Sequence, residues 1–212
     1  MTAAVRRLAV FDDGFTADAG AVPHGVNEKR LGTQGMALFI ATEAMLFVML
    51  FWSYVYLGRN AGATAWERPA PRLFYPMVML AVLLLSSAVV HWAELRVDRG
   101  HTRAARGAVL ATILLGVSFL WLQKLEYAER LKEITPVTSA YGSIFYLITG
   151  IHGAHVVLGV LMLAYVLVLP QIGETDRPPH RPLHNAAMYW HFVDAVWVLI
   201  VGMLYVVPHL KS

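Results

Sequence analysis

Five long apolar runs, separated by short polar links, dominate the pattern along this chain. Residues 1–31 are mixed and polar enough to stay outside a bilayer as an N-terminal cytoplasmic tail, and the apolar runs fill the remainder, 32–212. The first covers 35–57 and carries a single charged residue, Glu43. The second, about 73–95, is uncharged as far as Ala93 and has Pro76 in its first turn, where a helix tolerates proline. The third, about 107–129, is apolar to Leu122 and then turns amphipathic through "QKLEYAER". The fourth, 141–169, is stopped by Pro170, and the fifth, 185–207, is interrupted by Asp194 and ended by Pro208. About 20 mostly apolar residues suffice for a helix to cross the hydrocarbon core. Open strands cannot satisfy their backbone in lipid, so every crossing segment has to be helical. The pattern therefore predicts an all-α integral membrane protein, a bundle of five transmembrane helices. The link "GETDRPPHRPLHN" between the last two is rich in proline and charge and reads as a surface connection.

Composition agrees. Hydrophobic residues make up 58% of the 212 positions and charged residues only 15%, against about 25% charged in an ordinary soluble domain. The net charge of +3 comes from basic residues in short runs between the apolar segments. That is the distribution of membrane flanks and not of a nucleic-acid-binding patch. With the N-terminus inside, ten basic residues fall on inner segments: Arg6, Arg7, Lys29 and Arg30; Arg96, Arg99, Arg103 and Arg106; Arg177 and Arg181. Seven fall outside: Arg59, Arg68, Arg72, Lys124, Arg130, Lys132 and Lys211. The positive-inside rule thus favours a cytoplasmic N-terminus and a periplasmic C-terminus. The first twenty residues hold no long apolar stretch, so no cleaved signal peptide is expected and the first span directs insertion. Cysteine is absent, which excludes disulfides, thiolate-held iron–sulfur clusters and a cysteine-bridged dinuclear copper centre.

The candidate chemistry lies where polar residues interrupt the apolar runs. Glu43 sits roughly 12 Å into a helix about 35 Å long, where a carboxylate costs on the order of 3 kcal/mol. It is either neutral or paired inside the bundle, as a structural hydrogen bond or a proton-linked carboxyl. His191 and Asp194 share a helical face at i, i+3 in "YWHFVDAVW". A carboxylate beside an imidazole can fix its tautomer, and the pair reads as a lock between helices or a proton relay. His152 and His155 share a turn in "GIHGAHVVLGV". A metal site there would need a third ligand, with His191 as the candidate. The surrounding small residues Thr149/Gly153 and Gly150/Ala154 point instead to close helix packing, with the imidazoles bonded to neighbouring helices or lipid. His91, Glu94 and Glu126 fall near span ends and read as interfacial or lipid-headgroup groups. Two further classes stay open on the residues alone: a haem b anchor using His91, His152 and His191, and a proton-coupled transporter built on Glu43 and Asp194.

Longer strings narrow this. "GMALFIATEAMLFVMLFWSY" (35–54), "YGSIFYLITGIHGAHVVLG" (141–159) and "AAMYWHFVDAVWVLIVGMLYV" (186–206) closely resemble subunit III of haem–copper cytochrome c oxidases, as does "LQKLEYAE" (122–129). The resemblance spans about Gly32 to Val207. It implies an accessory subunit with no redox centre of its own, which packs against subunit I, where the haems and copper reside. Subunit II and a small subunit IV are further partners in such a complex. It also implies tightly bound phospholipid, support of proton uptake and protection of the oxidase during turnover. By the same resemblance Glu43 matches the family's carbodiimide-reactive glutamate, His152 and His155 its "HGxH" histidines, and His191 and Asp194 its "WHFVD" segment. No residue is expected to be catalytic or to ligate metal. Seven-helix members have two further spans before the stretch matching Gly35, and five-helix members occur in bacterial oxidases, including quinol oxidases. The expected setting is a bacterial cytoplasmic membrane, with cytochrome c as donor and quinol as the alternative.

Overall fold

The computed structural model describes residues 28–62, 66, 72–137, 139–168 and 180–210. Of the orientation-setting basic residues, Arg6, Arg7, Arg68, Arg177 and Lys211 lie outside the described residues, as do most of the N-terminal tail and most of the link before the fifth span. Helix α1 runs Glu28–Asn60, α2 Phe74–Asp98, α3 Thr102–Arg130, α4 Ala140–Val168 and α5 His180–Ile200. A π-helical turn, Val201–Val206, continues α5 into the short α6, Val207–His209. Five of these helical stretches are long and apolar enough to cross a membrane, and no strand occurs among the described residues. The five-helix, all-α architecture expected from the pattern is what the chain forms.

The helices overrun the apolar runs at their ends because polar residues extend a helix once its interior is seeded. Helix α1 starts in "EKRLG", and α3 starts at Thr102 and ends at Arg130. Between α2 and α3 the reversal takes only a few residues. Gly100, at φ 75°, donates its N–H to Val97 O at 2.9 Å, and His101 donates to Arg96 O at 2.9 Å. Those two bonds form a Schellman motif that satisfies the last carbonyls of α2. The left-handed φ is the reason a glycine is needed there. The short turn leaves α2 and α3 as antiparallel neighbours.

Helix α2 packs on α3 and α5, α3 on α4, and α4 on α5, while α1 lies against α4 and α5. The core is aromatic: Trp190, Trp197 and Tyr189 of α5, Tyr205 of the π turn, Phe119 of α3 and Phe145 of α4 are each fully buried. The Trp190 ring occupies space left by two glycines on facing helices. A Cβ at Gly116 would lie 2.6 Å from the ring, and one at Gly159 2.8 Å from it. Small residues thus let α3 and α4 close on a tryptophan that a larger pair would hold off. Its Nε1 donates to Ser86 Oγ of α2 at 2.9 Å, so this buried indole keeps its polar atom paired.

Burial is uneven around the bundle. In the most apolar stretch of the last span 50% of residues are buried, against 11% in α1. Leu38, Met45, Met49 and Trp52 of α1 all face outward. Helix α1 therefore leaves the largest uncovered apolar face, available to lipid or to a neighbouring chain.

Candidate functional site

Polar side chains gather in three places: at the end of the bundle where α3 finishes, in the middle beside α1, and at the end where α2 finishes. The two ends are opposite because consecutive helices alternate in direction.

At the first end Glu126 and Arg130, one turn apart on α3, form an ion pair at 3.0 Å with side chains only 5–6% exposed. Tyr205 donates its hydroxyl to the same carboxylate oxygen, Oε1, at 2.8 Å. The Arg130 guanidinium lies 4.7 Å from the Phe145 ring centroid and 5.2 Å from that of Tyr205. The π turn is what brings Tyr205 here, and π-helical turns are recurrently found where a side chain has to be re-aimed. Outside this core, Arg72 pairs with Glu129 at 3.5 Å and more closely with Glu133, and Tyr75 donates to Glu129 at 3.1 Å. Glu126, expected at the interface against headgroups, is instead 4% exposed and wholly engaged within the protein. Its i, i+4 arginine makes burial tolerable, since the carboxylate meets a permanent charge and a hydroxyl together.

One turn deeper, Gln123 donates to Thr149 O at 2.8 Å, and the Tyr127 hydroxyl meets Thr149 Oγ1 at 2.6 Å. Gly153 makes room for the amide: a Cβ there would sit 2.7 Å from Gln123 Oε1. This bridge ties α3 to α4 with a side chain bonded to a helical carbonyl.

In the middle, Glu43 of α1 and His155 of α4 meet, with Oε2 and Nε2 2.9 Å apart. His155 Nδ1 lies 2.8 Å from Ile151 O of its own helix. A carbonyl can only accept, so Nδ1 carries a hydrogen and Nε2 faces the carboxyl. One proton on that contact, held by the carboxyl of Glu43 or by Nε2, gives a bonded pair either way. Phe47 places its ring edge-on to His155 at 5.0 Å, and Tyr189 stacks on it at 6.5 Å. Both members keep some exposure, 25% for Glu43 and 13% for His155. Glu43 has the partner inside the bundle that its depth demands.

His152, one turn before, has no such partner. It is fully buried, and neither ring nitrogen has a hydrogen-bond partner among the described residues. It stacks on Trp197 at 5.0 Å, with Phe119 and Phe47 edge-on at 5.6 and 6.3 Å. The expectation that both imidazoles bond to neighbouring helices or lipid holds for His155 and not for His152, which packs among the rings of Phe47, Phe119 and Trp197.

The His191–Asp194 pairing is also corrected. His191 Nδ1 is engaged by Ser87 Oγ of α2 at 2.5 Å. Both carboxyl oxygens of Asp194 are buried without a hydrogen bond, Ser87 being the polar neighbour of that carboxyl. The i, i+3 spacing put the two on one face, but α2 supplies a hydroxyl that takes the imidazole instead. At the end of α2, His91 Nδ1 lies 3.6 Å from Glu94 Oε2 and His184 Nδ1 3.0 Å from Glu94 Oε1. His91 and Glu94 are at a helix end as expected, yet Glu94 is 20% exposed and turned toward α5.

Sequence reasoning missed Ser86, Ser87, Gln123, Tyr127, Thr149 and His184. The i, i+4 relation of Glu126 to Arg130 and of Gln123 to Tyr127 within "QKLEYAER" was the available signal for part of this set. The serines and Thr149 carry no such mark, because short hydroxyls inside apolar helices ordinarily bond their own backbone, as Thr112 does to Ala108 O at 3.0 Å.

Comparison with known proteins agrees with the strings in these helices. The family model for cytochrome c oxidase subunit III matches residues 19–208. The chain is 37% identical over 180 residues to cytochrome c oxidase subunit 3 of Gallus gallus, covering 81% of this chain and 67% of that one. It is 32% identical over 197 residues to the protein of the same name from Triticum aestivum, covering 86% and 71%. The corresponding Xenopus laevis protein is 35% identical over 181 residues. A match along nearly the whole length, carried by the same helices that hold Glu43, His155 and Glu126, makes this chain a multi-pass membrane protein of the cytochrome c oxidase subunit III family.

Proposed function

We propose that this chain is the redox-inactive accessory subunit of a proton-pumping terminal oxidase that takes electrons from cytochrome c. Subunit I is its main contact, with subunit II and a small subunit IV in the same complex. The haems and copper belong to those partners; this chain binds phospholipid and supports proton uptake into subunit I. We place the complex in a bacterial cytoplasmic membrane, with the N-terminus inside, on the distribution of basic residues between the spans.

The single observation that carries the proposal is the Glu43–His155 pair. Its 2.9 Å contact is held on one side by the Ile151 carbonyl. A carboxyl and an imidazole at hydrogen-bond distance can retain a proton within an apolar layer and hand it between them without separating charge over a long distance. Phe39 and Leu46, four and three residues from Glu43 and on its side of α1, are exposed. That face suits acyl chains or the flank of a larger apolar subunit. A proton-retaining group at such a contact serves a neighbour's chemistry and makes none of its own.

The test uses the intact complex. Glu43→Gln keeps a hydrogen bond to His155 but removes the acid. Carbodiimide labelling of the subunit is expected to vanish, and the oxidase to start at a largely normal rate but inactivate after fewer turnovers. Unchanged labelling would move the reactive carboxyl elsewhere. Purification of the chain as a lone homo-oligomer, without a haem–copper subunit, would overturn the proposal, and oxidation of quinol in place of cytochrome c would replace the donor.

A further inference from the structure

We propose that His91, Glu94 and His191 form a binding site for a zinc-class divalent cation, bridging α2 and α5 at the end of the bundle where α2 finishes. One ligand atom from each of the three lies within 4.8 Å of the other two. His91 and Glu94 are i, i+3 on α2, one turn apart on one face, and His191 reaches across from α5. Two imidazoles and a carboxylate with a further position left for water is a recurrent zinc ligand set. The two nitrogens select against magnesium and calcium, which take oxygen. Tetrahedral zinc holds nitrogen and oxygen ligands at about 2.0–2.1 Å, hence about 3.3 Å from one another. The three ligands close on the ion through side-chain torsions alone, because His91, with a side chain 64% exposed, is free to swing.

Three details favour a ligand over an internal lock. Glu94 Oε2 lies 3.6 Å from His91 Nδ1, too far for a hydrogen bond, so a lone pair remains for a cation. Ser87 Oγ engages His191 Nδ1 at 2.5 Å, which leaves Nε2 as the coordinating nitrogen. His184 Nδ1 holds the other oxygen of Glu94 at 3.0 Å. Bonds of this kind orient metal ligands from the outer shell. A cleft of about 100 Å³ lined by Glu94, Val97, Asp98, Leu183 and His184 adjoins the carboxylate. Occupied, the site would tie α2 to α5 by a coordination bond.

The experiment compares the purified oxidase complex with the same complex carrying His91→Ala or Glu94→Gln, each first stripped with a chelator. Equilibrium dialysis against radioactive zinc is expected to show one equivalent fewer in each variant, or that equivalent bound at least about tenfold more weakly, outer-shell losses alone being worth 10- to 100-fold. The difference in zinc X-ray absorption between wild type and His91→Ala should carry imidazole scattering. Zinc should also raise the temperature at which the wild-type subunit leaves the complex, and not that of the variants. Equal stoichiometry and affinity in all three proteins would overturn the site. So would displacement of the zinc by equimolar magnesium, or a difference spectrum without imidazole. Should His91→Ala fail to assemble, Glu94→Gln, which keeps the side-chain shape and the contact with His184, decides the matter alone.

Discussion

Glu94 and Glu126 each stand four residues before the last residue of their helix, α2 and α3, at opposite ends of the bundle. Their surroundings differ in the kind of partner. Glu126 is sealed between Arg130 and Tyr205, and the arginine is itself flanked by two aromatic rings. A guanidinium never gives up its proton, so that end keeps a permanent cation against the carboxyl. Glu94 meets imidazoles, on His91 and His184, whose side chains are 64% and 53% exposed. Imidazoles bind metals where a guanidinium does not, so this end can take a ligand. The same residue type at the same distance from a helix end becomes a structural lock or an open ligand, depending on which cation faces it and whether water reaches it.

The contrast can be broken at the locked end first. Arg130→Met leaves a buried carboxylate without its cation and is expected to cost about 3–5 kcal/mol, read as a fall in the temperature at which the subunit unfolds or leaves the complex in detergent. Adding Glu126→Leu to that variant should recover most of the loss, because the two charges are then removed together. A single substitution as mild as the double one would mean Glu126 reaches water after all. Tyr205→Phe removes one hydrogen bond to the same carboxylate, and about 1.5–3 kcal/mol should go with it in the same measurement. At the open end Glu94→Gln is expected to change stability in metal-free buffer by no more than about 1 kcal/mol, since exposed pairs contribute little. A loss as large as that of Arg130→Met would erase the distinction between the two ends.

Much of the architecture was legible because lipid leaves so few options. Runs such as 35–57 and 141–169 can only be helices, but the expectation that Pro208 ends the fifth run is corrected: helix continues through it to His209, because proline is tolerated in the first turn of the short α6. The pairing of polar groups was not legible. Glu43 and His155 are separated by 112 positions and Ser87 and His191 by 104. Helical periodicity says which residues share a face, not which helix that face meets. The His191–Asp194 reading failed for this reason: the correct face was identified, but a serine on α2 was the better-placed acceptor or donor. His152 shows the opposite error. Its type suggested a bond, while three aromatic neighbours from three other helices turned its site into a packing problem. Arg130 lay in plain view four residues from Glu126, yet an amphipathic ending reads equally well as a headgroup contact until Tyr205 and Phe145 are seen to cover it.

The π turn at Val201–Val206 acts as an angular offset in an otherwise regular rod. Each residue of an α-helix advances by about 100°, so one surplus residue absorbed in a wider turn rotates everything after it relative to what came before. Upstream, α5 is clamped by Trp190 and Trp197, which cannot turn. Deleting Gly202 would therefore spend the whole rotation downstream and carry the Tyr205 phenol away from Glu126, with the sequence on either side unchanged. The fifth helix thus keeps two independent phases, one set by the tryptophans and one by the carboxylate, and the six residues between them are where the two are reconciled.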